Sequence, residues 1–147
     1  MALHILKLCV GAETIDDLAV WQASRVARLK AQRLPPRIEH RTFQTPKRDA
    51  EVLAGGSLYW VIKGVIQVRQ RFVGFDTGVK DDGSSCCLFL LDPDLVAVRP
   101  VKRRPFQGWR YLTADDAPSD LSSAAAAAQM AAMSPQMRKD LADLGLL

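Results

Sequence analysis

A chain of 147 residues that is 48% hydrophobic and 24% charged can bury a core of its own and falls in the size range of one domain. No stretch reaches the roughly 18 apolar residues of a membrane span, and MALHILKLCVGAE carries a lysine inside its apolar run with no small-residue cleavage pattern after it, so a soluble cytoplasmic protein is expected. Net charge is +4 and unevenly spread: Arg25, Arg28, Lys30, Arg33, Arg37, Arg41, Lys47 and Arg48 stand against Glu39 alone in residues 25–48, while aspartates prevail from 115 onward.

In chain order, Leu3 to Val10 is apolar on nearly both sides of an extended chain, which predicts an interior strand. Thr14 with Asp17 three residues on forms a capping-box start. Ile15, Leu18, Ala19, Val26 and Leu29 then recur at helical spacing until Pro35-Pro36, giving an amphipathic helix over 15–31 whose outer face holds Arg25, Arg28 and Lys30. RIEHRTFQ (37–44) reads as a second strand and RDAEVLAGG as a short helix stopped by Gly55-Gly56.

SLYWVIKGVIQVRQRFVGF is rich in β-branched and aromatic residues and predicts one extended strand with a bulge or bend at Gly64. Asp82-Gly83 is a hairpin signal leading into CCLFLLD, Asp92-Pro93-Asp94 turns the chain into LVAVRPV, and GWRYL adds a last strand. The expected fold class is α+β with a mostly antiparallel sheet in a single domain over 1–121, either an open twisted sheet or a small β-barrel that hides its edges. Residues 122–134 read as an alanine-rich linker or helix. Residues 135–147 read as a docking helix capped by Ser134, with Met137, Leu141 and Leu144 as its apolar stripe.

Cys9, Cys86 and Cys87 have no ligand spacing and are expected to be reduced thiols, the adjacent pair pointing to opposite sides of a strand. Neither His4 nor His40 has a carboxylate or cysteine at metal-binding spacing. There is no nucleophile elbow, P-loop or dinucleotide fingerprint, and the aspartates of DDGSS and DPD are turn residues. No metal, cofactor or catalytic group is therefore assigned.

Basic residues interleaved with aromatics are present instead. With alternation, Lys63, Gln67, Arg69 and Arg71 line one side of a strand at roughly 6.6 Å per step of two, a spacing compatible with successive phosphates of one nucleic-acid strand. Arg99, Lys102, Arg103 and Arg104 precede FQGWRYL, where Trp109 and Tyr111 share a face opposite Arg110. Guanidinium forks hold phosphates while rings stack unpaired bases, so these residues form the candidate nucleic-acid site; the bland alternative is aromatic core with a wet basic face.

HILKLCVG, SLYWVIKGVIQVRQR, GWRYL and the ending DLADLGLL resemble, nearly end to end, an uncharacterised bacterial domain-of-unknown-function family. The middle segment also resembles the ASCH branch of the PUA-like superfamily, small β-barrels associated with RNA. That motif, G-x-K-x-x-E-x-R, falls here on Gly64, Ile66, Arg69 and Arg71, so the glycine and last arginine match and the lysine and glutamate do not. The resemblance implies RNA binding, and the two departures remove the groups linked to amide hydrolysis in that branch. A non-catalytic RNA-binding module is the leading expectation. The alternatives are a small amide or nucleoside hydrolase using Lys63, and an adaptor that meets an acidic protein partner through the basic helix or the C-terminal helix.

Overall fold

A computed structural model describes residues 2–121, so the expectations for the alanine-rich segment and the C-terminal helix lie outside the described residues. The elements in order are β1 (Leu3–Leu8), α1 (Ile15–Ala31), β2 (Ile38–Thr42), α2 (Asp49–Leu53), β3 (Ser57–Ile62), β4 (Val65–Val79), β5 (Ser85–Leu91), β6 (Val96–Lys102) and β7 (Trp109–Thr113). The strands form one seven-stranded sheet in the order β2-β5-β4-β3-β1-β7, with β6 on β4 as a branch. All pairs are antiparallel except β1 with β3, whose connection carries both helices. The fold is mixed α+β, as expected. The sheet is not closed into a barrel: no ladder joins β2 to β7 among the described residues.

The long strand β4 explains the branching. Its first half lies between β3 and β6, and its second half pairs with β5. Between the halves, Phe72 opposes Leu91 and Gly74 opposes Leu90, so Val73 is an extra, exposed residue. This bulge places Phe72 and Phe75, three apart in sequence, in contact at 5.2 Å between ring centroids, and Phe89 packs against both.

Residues 57–75 are not one strand with a bend at Gly64. Lys63 and Gly64 have φ of 52° and 78°, the two left-handed positions of a two-residue hairpin turn, and β4 folds back on β3. A second irregularity follows at once, because Trp60 opposes Val68 while Val61 opposes Ile66, leaving Gln67 as the bulged residue. Gln67 is fully buried and its amide donates to the carbonyl of Ile62 at 3.0 Å.

The central strands are apolar on both faces, as a strand covered on both sides requires. Ile5, Leu58, Trp60, Ile62, Val68 and Phe72 face Ile15 and Leu18 of α1, Val52 of α2 and Phe89 of β5. Leu6, Tyr59, Val61, Ile66, Val98 and Leu112 form a second cluster with Phe106 and Ala117. At α1 both bonds of the capping box are present, and only Ile15, Leu18 and Gln22 are buried, so the helix docks by its first two turns. Cys9, Cys86 and Cys87 are free thiols.

Candidate functional site

The strand arginines are separated by the sheet's own register. Arg69 opposes Tyr59, Tyr59 opposes Leu6 and Leu6 opposes Arg110, so the two arginines share a face with two strands between them. Trp109 and Tyr111, one residue either side of Arg110, lie on the other face as alternation predicts, and their rings meet edge to face at 4.9 Å. Arg69 and Arg110 therefore stand on one face of the sheet and the two rings on the other, as alternation in GWRYL implied.

Most of these groups are already engaged. The guanidinium of Arg69 donates to both oxygens of Asp120, at 2.7 and 2.8 Å, and to Ser57 Oγ at 3.1 Å. Those hydrogen bonds hold the Asp120 carboxyl below the usual carboxylate range and raise the Arg69 guanidinium. Ser57 N–H in turn donates to His4 Nδ1 at 3.0 Å, so a local network fastens residue 120 to the sheet. Gln67 is inside the protein, not on a wet strand face as alternation suggested, because the bulge breaks the period.

Lys63 sits at the hairpin tip, 3.2 Å from Glu13, both more than half exposed. Arg110 donates to the carbonyls of Gln107 and Trp109. Trp109 donates its indole N–H to the Gln44 carbonyl at 3.1 Å, and Tyr111 Oη accepts from the Arg48 N–H at 3.1 Å. These two bonds span the gap between β7 and the segment after β2, which gives both aromatics a structural role. Arg71 and Arg104 are exposed, and Arg103, half-buried, donates its backbone N–H to Gly64.

A different set of residues converges between α1 and β2. A pocket of about 190 Å³ is walled by Trp21, Gln22 and Trp60 with Arg25 and Arg28 beside it, and Ile38 and His40 of β2 close it. Its buried wall is a polar network. Gln70 accepts from the Trp60 indole N–H at 2.9 Å and exchanges two 2.8 Å amide bonds with Gln22, while its remaining N–H reaches the Asp92 carbonyl at 3.0 Å. His40 stands edge-on to Trp60 at 5.0 Å, and its buried Nε2 has no hydrogen-bond partner among the described residues. Burial, with Lys7 and Arg25 as nearby cations, pushes the His40 imidazole down to about 3, so it is neutral at physiological pH.

The rim is basic. Arg25 lies 4.1 Å over the ring of Trp21, four residues earlier and 44% exposed. No carboxylate is paired with Arg25 or Arg28 among the described residues. Arg37, at the same mouth, is shared between Glu39 at 3.0 Å and Asp76 at 3.1 Å. The outer arginines of α1 were legible from helical spacing. Their convergence with His40 and Trp60 was not, since α1 and β2 meet only in three dimensions. The available signal was a Trp21/Arg25 pair at i,i+4 beside a basic run that contains His40.

No candidate metal cluster occurs among the described residues, and no described helix is long and apolar enough to cross a membrane. No curated protein and no solved structure matches the chain. Residues 5–147 match a family described as protein of unknown function (DUF1489), nearly the whole length, and the chain belongs to that family.

Proposed function

We propose that this chain is a non-catalytic RNA-binding module whose contact surface is the α1–β2 mouth. One observation carries the reading: Arg25 and Arg28, paired with no carboxylate among the described residues, stand with the exposed Trp21 indole at the rim of a pocket. Guanidinium groups next to an aromatic platform suit a flexible polyanion with unpaired bases.

The hydrolase alternative needs Lys63 desolvated beside an acid, and the Lys63–Glu13 pair is more than half exposed at both ends. The test is fluorescence anisotropy with a single-stranded RNA across a salt series. Tight binding at low salt should weaken steeply as salt rises. In the double variant Arg25→Ala/Arg28→Ala the slope of log K against log salt should fall by about 1.4, two single-strand phosphate contacts. Both side chains are exposed, so the fold should be retained. An unchanged slope in the folded variant removes this surface from the account.

A further inference from the structure

We infer that residues 135–147, read from sequence as a helix with Met137, Leu141 and Leu144 as its apolar stripe, seat that stripe in a groove between α1 and the chain entering β6. The inference does not depend on RNA binding, because helical periodicity puts Arg25 and Arg28 on the opposite flank of α1 from this groove.

The apolar stripe of α1 is longer than the surface the sheet covers. Ile15, Leu18, Ala19, Val26 and Leu29 recur at helical spacing, yet the buried residues of α1 are Ile15, Leu18 and Gln22. Ala19, Ala23, Val26 and Ala27 line, with Pro93 and Leu95, a groove of about 400 Å³. Ala23, Ala27 and Pro93 are exposed, and Ala19, Val26 and Leu95 are half-buried. Alanines on α1 let a second helix come close enough for its larger side chains to reach Val26 and Leu95. The lengths agree. From Ala19 to Lys30 the groove runs about 18 Å along α1, and a helix over 135–144, ended by Gly145, measures about 15 Å with Met137, Leu141 and Leu144 on one face.

The point at which the described chain ends favours this segment over any other occupant. Leu121 N–H donates to the Ala97 carbonyl at 3.0 Å, and Asp120 beside it is held by Arg69. Ala97 is two residues past Leu95 of the groove, so their Cα atoms are at most about 7.6 Å apart. Residues 122–136 join Leu121 to Met137 and can span up to about 50 Å. A stripe tethered in this way meets the groove at roughly millimolar effective concentration, which a second copy matches only in a millimolar solution. Charge agrees with the same occupant. Lys30, the last α1 residue of the lining, is paired with no carboxylate among the described residues, and Asp140 and Asp143 flank the stripe.

The experiment is methyl NMR on the whole chain with labelled alanine, isoleucine, leucine, valine and methionine. Methyl groups of Met137, Leu141 and Leu144 should give NOEs to those of Ala23, Val26 and Leu95. A mixture of labelled and unlabelled chains, read through isotope filters, should show none of these between molecules. In Ala23→Arg/Ala27→Arg, where both positions are exposed, and separately in Leu141→Asp/Leu144→Asp, the NOEs should be lost while the core methyls of Ile5 and Leu58 keep their shifts. Absence of the NOEs in wild type, NOEs from the three residues to a different surface, or their survival in Ala23→Arg/Ala27→Arg overturns the inference. NOEs found only between molecules overturn it as well and make the groove an interface between two copies.

Discussion

His40 concentrates the molecule's unusual chemistry in one side chain. Its imidazole is held near 3, well below the ordinary 6.5, so the folded protein resists a proton that the unfolded chain accepts. Stability is then fully present above about pH 6.5 and is lost as the pH falls toward 3, by at most about 1.4 kcal/mol per pH unit for this one group. Urea unfolding at pH 7.5 and 4.5 should show this loss, and His40→Phe should lessen it. At pH 7.5 the same variant should be neutral or stabilising, because it removes a buried atom that has no partner among the described residues. A second residue-scale prediction concerns Gln70, which satisfies Trp60, Gln22 and the Asp92 carbonyl together. Gln70→Leu should cost about 3 kcal/mol in urea unfolding, since it orphans groups on three neighbours. A cost below 1 kcal/mol would mean that those neighbours repartner or reach water.

Elements separate what local sequence encodes from what it leaves open. The capping box of α1 was legible because both halves lie within four residues, and Thr14→Ala should cost about 1 kcal/mol by urea or thermal unfolding. The Asp82-Gly83 hairpin was legible for the same reason: Gly83 takes φ of 85° at the turn between β4 and β5. Lys63-Gly64 was read as a bulge or bend within one strand, not as a hairpin turn, because lysine is an uncommon residue at a left-handed position and the flanking residues are as β-prone as a continuous strand. Gly64→Ala, at φ of 78°, should destabilise the protein by about 1–2 kcal/mol. A neutral result would show that the turn relaxes. The bulges at Gln67 and Val73 were illegible because each depends on the partner strand's register.

At the scale of the whole molecule, the sheet divides the basic residues into separate populations. Arg69 is clamped by Asp120 and Ser57, and Arg110 caps nearby carbonyls, so these cations fasten the chain to itself. Among the described residues Arg25 and Arg28 are paired with no carboxylate. Sequence alternation placed Arg69 and Arg71 on a strand face correctly but was blind to Asp120, 51 residues beyond Arg69, and to the two strands between Arg69 and Arg110. The mixed α+β class was legible from the order of elements. The open edge between β2 and β7 was not, because strand number and spacing alone do not fix closure.

The most direct measurement is RNA affinity at fixed low salt for two folded charge-reversal variants, Arg25→Glu/Arg28→Glu and Arg71→Glu/Arg104→Glu. Each changes net charge by the same amount. The account predicts that reversal on α1 lowers affinity at least about tenfold more than reversal at Arg71 and Arg104, since local contacts rather than overall charge hold the strand. Equal losses in the two variants, or a larger loss from Arg71→Glu/Arg104→Glu, would contradict it.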